Sequence, residues 1–458
     1  MLKPMGLNVI DQFTSQLDHI SDVTVSGRIT AVRGLIAECN GIVPFLRIGT
    51  RCRIEPGLNR APVMTEVVGF REGAALLMPF QSLEGVGPGA QVFLERAEAN
   101  IFPCDQWQGR ILNAFGDPID DLGPLAQGSA PYLFKAEPPS AAKRNRVAGK
   151  LDLGIKAMNA FTTCCQGQRM GIFAGSGVGK SILMSMLARD ARADVNVIGL
   201  IGERGREVQE FIQDDLGEEG LARSVLVVST SSESALMRRQ AAYLTLSVAE
   251  YFRDQGKQVL CLMDSVTRFA MAQREIGLSA GEPPTTKGYT PTVFAELPHL
   301  LERAGPGTGE QGSITGLFTV LVEGDDENEP ISDAARGILD GHIILNRKIA
   351  QRGRYPSIDI LKSVSRMLPD CNDQAENQLI TIARSIMTTY EDMAEMIRLG
   401  AYRRGGDKEV DQAIELYPRI EDFLRQGVHE SCNLEDSYDQ LAEALGLANW
   451  RQVLGGQA

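Results

Sequence analysis

The spacing of hydrophobic and polar residues changes along the chain, and each change predicts a different kind of structure. Residues 1–20 have apolar side chains at helical spacing, which predicts an amphipathic segment that either packs on its own domain or docks on a partner. Residues 21–96 alternate β-branched and polar positions between frequent Gly, Asn and Pro residues, which predicts a small antiparallel β-barrel domain. Residues 372–458 have a helical pattern throughout, which predicts a helical C-terminal domain. The apolar positions of the first segment are Leu7, Ile10, Phe13, Leu17 and Ile20.

Residues 97–371 show a third pattern, in which short apolar runs alternate with amphipathic stretches. The runs have the length of buried strands and are followed by helical spacing, which predicts an α/β domain with a mostly parallel sheet and helices on both faces. The predicted strands are 170–174, 194–201, 224–229, 258–264, 313–322 and 341–345.

The segment 167–187 contains the clearest chemical motif of this α/β domain. It reads GQRMGIFAGSGVGKSILMSML, which predicts a strand, a glycine-rich turn and a helix. Such a turn surrounds phosphates with backbone N–H groups, while its lysine reaches the outer phosphates and its hydroxyl contacts Mg²⁺. Ala174 stands where this motif normally begins with glycine, and we expect the turn to tolerate it. The predicted phosphate-binding residues are Gly175, Ser176, Gly177, Val178, Gly179, Lys180 and Ser181.

Two acidic residues follow predicted strands of the same sheet. Asp264 ends an apolar strand, a position from which a carboxylate can hold Mg²⁺ beside a phosphate loop. Glu203 follows the strand 194–201, where strand ends face the ligand crevice. It is a candidate for polarising an attacking water, although an acid at this position also suits the N-terminus of the following helix. The spacing alone leaves both interpretations of Glu203 open.

The composition indicates a globular protein without a general affinity for nucleic acid. The formal net charge of the 458-residue chain is −13, which argues against an extended basic face. No apolar run approaches the roughly 18 residues of a membrane span, and we recognise no secretory signal. Eight scattered cysteines and four distant histidines predict neither a disulfide framework nor a zinc site. We therefore expect a cytoplasmic protein.

Five ordered segments of the chain resemble the flagellar type III export ATPase family, a paralogue of the subunits of rotary ATP synthases. The resemblance is densest over residues 109–370. It implies a RecA-like core between the barrel and the helical domain, with ATP and Mg²⁺ as ligands, and Mg-dependent hydrolysis of ATP to ADP and phosphate. The segments are GIFAGSGVGKS, IGERGREVQEF, CLMDSVTRFAMAQREIGLSAGEPPTTKGYTPTVF, GSITGLFTVLVEGDDENEPISDAARGILDGHI and RYPSIDILKSVSR.

The resemblance also implies roles for individual residues. Lys180 and Ser181 bind phosphate and Mg²⁺, and Asp264 is the second metal-binding residue. Glu203 positions and polarises the attacking water. The three remaining residues implied by the resemblance are Arg204 at the γ-phosphate, Tyr355 stacked on adenine, and Arg366 as an arginine finger in the site of a neighbouring chain. Without the resemblance, Tyr355 would be read as a core aromatic residue and Arg366 as a surface residue.

One chain carries both Glu203 and Arg366, which rotary synthases divide between two subunit types. A ring of identical chains would therefore complete every site, and the resemblance implies a homohexamer. It further implies a stator-like regulatory subunit, a coiled-coil stalk protein, complexes of export chaperones with their substrates, and a membrane export gate at the cytoplasmic face of the inner membrane. We expect a peripheral association with that membrane.

Three alternatives to a flagellar export ATPase remain at this stage. An ATPase of a virulence or symbiosis injectisome shares the core motifs, although ISDAARGILDGHI looks more flagellar. A nucleotide-binding ring subunit without activity is disfavoured by Glu203. A ring-shaped RNA translocase is disfavoured by the acidic composition and by the lack of a basic, aromatic surface in the predicted barrel.

Overall fold

The computed structural model describes residues 25–57, 60–95, 100–322 and 329–455. The amphipathic segment predicted at 1–20 therefore lies outside the described residues. The described residues divide into two compact units: one lies within Met1–Ala99 together with Ser279–Gly281, and the other lies within Asn100–Leu278 together with Glu282–Ala458. Within the described ranges, no helix combines the length and the apolar character needed to cross a bilayer.

The described strands of the first unit close into an antiparallel barrel. They are β1 (Ser26–Arg33), β2 (Ile36–Asn40), β3 (Arg51–Glu55), β4 (Val63–Arg71), β5 (Ala74–Pro79) and β6 (Gln91–Leu94). The order around the barrel is β1-β2-β5-β4-β3-β6. Alternate residues such as Cys52, Ile54 and Val67 are fully buried inside it, as the period of two in a strand requires.

The second unit is built on a large sheet. Its strands, with those of two small accessory sheets, are β7 (Asn100–Ile101), β8 (Ile111–Leu112), β9 (Tyr132–Leu133), β10 (Ala148–Leu151), β11 (Cys164–Gln166), β12 (Arg169–Ala174), β13 (Val195–Glu203), β14 (Ser224–Thr230), β15 (Gln258–Asp264), β16 (Gly305–Pro306), β17 (Ser313–Leu321), β18 (Gly341–Leu345) and β19 (Val364–Ser365).

Within the described residues, the large sheet runs β19-β18-β12-β17-β15-β13-β14-β8, and β16 pairs with β17. All neighbours from β18 to β8 are parallel, whereas β19 and β16 are antiparallel. The central strands are apolar and buried almost along their full length, as in a sheet covered on both faces. Because the strands are parallel, their carboxyl ends meet at one edge, where ligands bind in such folds.

Helices cover the sheet and form the C-terminal region. They are α1 (Lys156–Phe161), α2 (Lys180–Asp190), α3 (Gly205–Glu210), α4 (Gly217–Ala222), α5 (Ala235–Asp254), α6 (Val266–Ala280), α7 (Pro291–Glu302), α8 (Pro330–Ile338), α9 (Arg347–Gln351), α10 (Gln374–Arg398), α11 (Lys408–Phe423), α12 (Leu434–Ala444) and α13 (Trp450–Leu454). A capping box of Asp373 and Glu376 fixes the start of α10. The predicted fold class, an α/β core with a barrel and a helical domain, is confirmed.

Candidate active site

The predicted phosphate loop connects β12 to α2 at the carboxyl edge of the sheet. Ala174 is the last residue of β12; it is buried and pairs with Leu321 on one side and Leu345 on the other. The left-handed conformations of the loop are at Gly177 (φ 74°) and Gly179 (φ 91°), which glycine adopts without strain. Alanine therefore fits at position 174, because that residue belongs to the strand and not to the turn.

The loop forms one wall of a cavity of about 690 Å³. This volume is in the range of small-molecule sites. Its lining brings together most of the residues predicted to bind nucleotide. From the sequence predictions it contains Gly175, Ser176, Gly177, Gly179, Lys180, Ser181, Glu203, Arg204 and Tyr355, and beside them Glu207, Thr267, Arg268, Met271 and Arg347. Val178 is buried beneath the loop, and its carbonyl accepts a hydrogen bond of 2.6 Å from Ser357 Oγ.

Lys180 lies between the two predicted acids. Its Nζ is 2.5 Å from Asp264 Oδ2 and 3.3 Å from Glu203 Oε1. Burial by itself lowers the pKa of Lys180, but the negative charges of Asp264 and Glu203 outweigh this effect and raise that pKa above its ordinary value. Lys180 is therefore held as a cation at the mouth of the phosphate loop.

Asp264 is positioned by its strand. It ends β15, which lies between β13 and β17, and its Oδ1 accepts a hydrogen bond of 2.7 Å from Thr319 Oγ1. Asp264 is 5% exposed. Its carboxylate is oriented by the contacts with Lys180 and Thr319. The sequence predicted Asp264 at this strand end, but it gave no indication of Thr319.

Glu203 ends β13, directly before helix α3. Burial raises the pKa of its carboxyl group, and the nearby charge of Asp264 raises that pKa further, while Lys180 opposes the shift. Glu207, in the first turn of α3, also raises the pKa of Glu203. Glu207 was not predicted, although an acidic residue in the first turn of a helix is favoured by the helix dipole.

Arg204 lines the cavity but points toward solvent. Its side chain is 74% exposed, and Nη1 donates to Glu207 Oε1 at 2.9 Å. It is therefore near the predicted site, while its role at the γ-phosphate stays a prediction.

Tyr355 closes the cavity beside the phosphate loop. A methyl group built onto Gly179 would lie 3.3 Å from the Tyr355 ring, so the ring packs directly on the loop. The side chain is 43% exposed, which disfavours a core role. Its backbone carbonyl accepts a hydrogen bond of 3.0 Å from the amide of Gln426, which connects the segment to the C-terminal helical region.

Arg366 is separated from these residues. It follows β19, its amide donates to the carbonyl of Asp340 at 2.9 Å, and its Nη2 donates to the carbonyl of Arg336 at 3.0 Å. Asp340 also pairs with Arg169, the first residue of β12, whereas the phosphate loop follows Ala174. At about 3.3 Å per residue, Arg366 lies roughly 16 Å along β12 from the loop. Its exposed guanidinium is not among the groups that line the cavity of its own chain.

The residues fit a magnesium nucleotide. Mg²⁺ in such sites takes oxygen ligands from one or two carboxylates or hydroxyls, from phosphate and from water, and Asp264 with Ser181 offers this donor set. The glycine-rich loop provides a cradle that side chains would obstruct at Gly179. Among the described residues, no group of three or more His, Cys, Asp and Glu side chains could hold a metal ion.

Comparison with known proteins identifies related sequences over almost the whole chain. Residues 154–365 match the ATP synthase alpha/beta family, nucleotide-binding domain, and residues 373–443 match the T3SS EscN ATPase C-terminal domain. The chain is 58% identical over 434 residues to the flagellum-specific ATP synthase of Caulobacter vibrioides, covering 94% of this chain and 98% of that protein. It is 47% identical over 421 residues to the flagellum-specific ATP synthase of Bacillus subtilis, covering 92% and 95%.

Solved structures of related ATPases also match this chain over most of its length. The assembled ATPase EscN from the type III secretion system of enteropathogenic E. coli matches with a TM-score of 0.86 at 39% identity, covering 92% of this chain and 100% of that chain. EscN in complex with its central stalk EscO matches with a TM-score of 0.83, at the same identity and coverage.

Proposed function

Because the chain belongs to the flagellum-specific ATP synthase family, we propose that it hydrolyses ATP to ADP and phosphate in support of the export of flagellar proteins. The resemblance predicted from five sequence segments is confirmed at the level of the family, and the chain is an ATPase of that family. The observation that carries the proposal is the position of Lys180, which lines the cavity together with Glu203 and contacts both Glu203 and the buried Asp264.

The phosphate loop binds the triphosphate of ATP. Backbone N–H groups of the turn and the N-terminus of α2 face the phosphates, and Lys180 neutralises the outer ones. Ser181 and Asp264 hold Mg²⁺, which stabilises the charge that develops on the phosphate oxygens. Tyr355 stacks on adenine at the outer side of the loop, and Arg204 contacts the γ-phosphate from the rim of the cavity.

Glu203 orients and polarises the water that attacks the γ-phosphate. Its raised pKa, caused by burial and by Asp264, makes it a better proton acceptor than an ordinary glutamate at neutral pH. Lys180 changes partners when phosphate enters, because its Nζ now contacts both Glu203 and Asp264. Glu203 is then released toward the water.

The site is completed by a neighbouring chain. Arg366 is exposed and lies roughly 16 Å along β12 from the phosphate loop of its own chain, so it serves the site of the next chain in a ring. Such an arginine stabilises the charge of the transition state and is worth about 10³–10⁵ in rate in other phosphoryl-transfer systems. We infer a homohexamer with six identical sites, a proposal supported by the assembled form of EscN.

The proposed partners follow from the same family. EscN has been solved with its central stalk EscO, and we propose a coiled-coil stalk protein in the ring of this chain. A stator-like regulatory subunit, chaperone–substrate complexes and a membrane export gate complete the proposed set. The protein acts in the cytoplasm and associates peripherally with the inner membrane.

Mixing two inactive variants tests the shared site. Glu203→Gln and Arg366→Ala are purified separately, combined and assembled, and ATP hydrolysis is measured. Each variant alone should lose about 10³-fold or more of its turnover. In a ring with random mixing, up to about a quarter of the interfaces combine an intact Glu203 with an intact neighbouring Arg366, so the mixture should recover up to about that share of wild-type turnover.

Two controls accompany this experiment. Arg352→Ala removes an exposed arginine outside the cavity and should leave turnover unchanged. Turnover per chain of the wild-type protein should rise steeply with protein concentration. A mixture no more active than the mean of its components would show that Arg366 does not act across an interface. An Arg352→Ala variant as inactive as Arg366→Ala would show that the loss is unspecific.

An injectisome ATPase is the second candidate function, because EscN shares the fold over the whole of its chain. The 58% identity to the flagellum-specific ATP synthase of Caulobacter vibrioides exceeds the 39% identity to EscN, which favours the flagellar system. Deleting the gene and measuring swimming decides between them: a motile deletion strain would rule out the flagellar assignment.

A further inference from the structure

Two thiols that the proposed mechanism does not use lie close together near the start of β12, at the opposite end of that strand from the phosphate loop. Cys165 is on β11, and Cys371 lies in the turn between Arg366 and helix α10. The two thiol groups interact, and each shifts the pKa of the other. Cys165 is 2% exposed, whereas Cys371 is only partly buried, so solvent reaches one member of the pair.

The contact does not depend on the thiols alone, because other bonds hold their two segments together. Ser365 Oγ donates to the carbonyl of Thr163 at 2.9 Å. Tyr438 bridges the segments from α12: its hydroxyl lies 2.9 Å from Thr163 Oγ1 and 3.3 Å from Asn372 Oδ1. Thr163 is two residues from Cys165 and Asn372 is adjacent to Cys371, so the backbone keeps the sulfur atoms close.

A positive charge lies beside the pair. Lys150 is directly opposite Cys165 in the pairing of β10 with β11, and its Nζ is ion-paired with Glu376 and lies 5.1 Å from the centre of the Tyr438 ring. The interaction with Cys165 lowers the pKa of Cys371, and Lys150 lowers that pKa further against the opposing effects of burial and of Glu376. The pKa of Cys165 is raised by the same interaction and by burial. Of the two thiols, Cys371 therefore loses its proton more readily.

We propose that Cys165 and Cys371 form a modification site at which a hydroperoxide produces a reversible disulfide. The Cys371 thiolate attacks one peroxide oxygen, the O–O bond breaks, and hydroxide leaves, which gives the sulfenic acid. The sulfur of Cys165 then attacks the sulfur of Cys371, and the S–O bond breaks as water leaves with the thiol proton. In total, two thiols are oxidised to one disulfide and hydrogen peroxide is reduced to two waters.

The neighbouring Cys164 does not take the place of either residue. It is 1% exposed, burial raises its pKa, and its thiol donates to the carbonyl of Cys165 at 3.7 Å. The disulfide would connect β11, which precedes the strand of the phosphate loop, to the turn that follows Arg366. Oxidation at this place would fix the segment that bears Arg366 against the core of the same chain.

The test is a titration of the purified full-length protein with hydrogen peroxide. The reaction is stopped by alkylation of free thiols, and tryptic peptides are analysed by mass spectrometry. Cys164 and Cys165 share one tryptic peptide and Cys371 lies in another, so a cross-link appears as a joined pair that dithiothreitol separates. We expect this cross-link to form at least about tenfold faster than Cys104, a partly exposed cysteine, is oxidised.

Cysteine-to-serine variants identify the partners. The cross-link should persist in Cys164→Ser and Cys104→Ser and should be lost in Cys165→Ser and in Cys371→Ser. Cys371→Ser alters a partly exposed position, so we expect this variant to fold. Its melting temperature verifies the fold. Three outcomes would each overturn the proposal. The first is a disulfide between Cys164 and Cys165, and the second is a cross-link that survives in Cys371→Ser. The third is oxidation of Cys165 and Cys371 that is no faster than oxidation of Cys104.

Discussion

Lys180 and Asp264 form an ion pair at the carboxyl edge of the sheet, with Lys180 Nζ 2.5 Å from Asp264 Oδ2. Lys180 is the predicted ligand of the outer phosphates, and Asp264 is the predicted ligand of Mg²⁺. Both carboxylates that contact this lysine, Asp264 and Glu203, are part of the proposed chemistry. Binding of the magnesium nucleotide therefore has to exchange an internal ion pair for contacts with phosphate and metal.

This exchange predicts different effects for the two members of the pair. Lys180→Met should lose ATP binding with and without Mg²⁺, because the phosphates lose their cation. Asp264→Asn should keep binding of metal-free ATP, since Lys180 is released from its carboxylate, but should lose the tightening by Mg²⁺ and at least about 10²-fold of turnover. Titration with a fluorescent ATP analogue, in magnesium and in EDTA, measures both affinities.

Lys348→Met is the matched control for this pair of variants, because Lys348 is exposed and does not line the cavity. It should bind and hydrolyse ATP as the wild type does. Equal loss of metal-free ATP binding in Asp264→Asn and Lys180→Met would contradict the exchange.

A methyl group on the phosphate loop provides a second prediction. Gly179→Ala places a side chain at φ 91° and within 3.3 Å of the Tyr355 ring, so the loop should lose its shape and ATP turnover should fall by at least about 10²-fold. Gly87→Ala is the control, because Gly87 does not adopt a left-handed conformation and has no atom within 4 Å of the added methyl group. Steady-state turnover measures both variants, and an active Gly179→Ala would contradict the proposed loop.

The position of Tyr355 beside the phosphate loop leads to a third prediction, which concerns binding of the base and not of the phosphates. Tyr355→Ala should weaken binding of ADP by about 1–3 kcal/mol, the usual value of one stacked base, and should leave binding of pyrophosphate unchanged. Tyr355→Phe keeps the ring and should bind ADP almost as the wild type does. Calorimetric titration with both ligands separates the two effects. If pyrophosphate binding fell as far as ADP binding, Tyr355 would support the loop and not the base.

The ion pair of Arg110 with Asp120 predicts a dependence of stability on pH. Arg110 donates to both oxygens of Asp120, at 2.7 and 2.9 Å, and this contact, opposed by burial and aided by the amides of Ile111 and Leu122, lowers the pKa of Asp120 to about 2. A lowered carboxyl pKa stabilises the fold above the unfolded pKa, near 3.9, and the gain disappears as pH falls through the folded pKa.

Asp120→Asn should therefore lower the free energy of unfolding by about 2 kcal/mol at pH 7. The difference from the wild type should shrink between about pH 4 and pH 2. Urea denaturation at several pH values measures it. A difference that is constant with pH would mean that the loss comes from hydrogen bonds and not from charge.

The order of elements and the core of the site could be read from the chain. A strand, a glycine-rich turn and a helix are local features, and the glycines, Lys180 and Ser181 lie within one short segment. Asp264 and Glu203 could be added because the carboxyl ends of parallel strands meet at one edge of a sheet. The departure at Ala174 needed the structure for its explanation, since only the pairing with Leu321 and Leu345 shows that this residue belongs to the strand.

Other relationships depend on contacts between residues that are distant in the chain. Thr319 reaches Asp264 only through the pairing of β15 with β17, and Cys165 meets Cys371 only because the segments at Thr163 and Ser365 are bonded together. The position of Arg366, level with the start of β12, follows from the antiparallel pairing of β18 with β19.

Hydrophobic period and local turn chemistry determined the elements and the phosphate loop, because these signals act over a few residues. Strand order and register were decided by tertiary packing, because they depend on which distant surfaces bury each other.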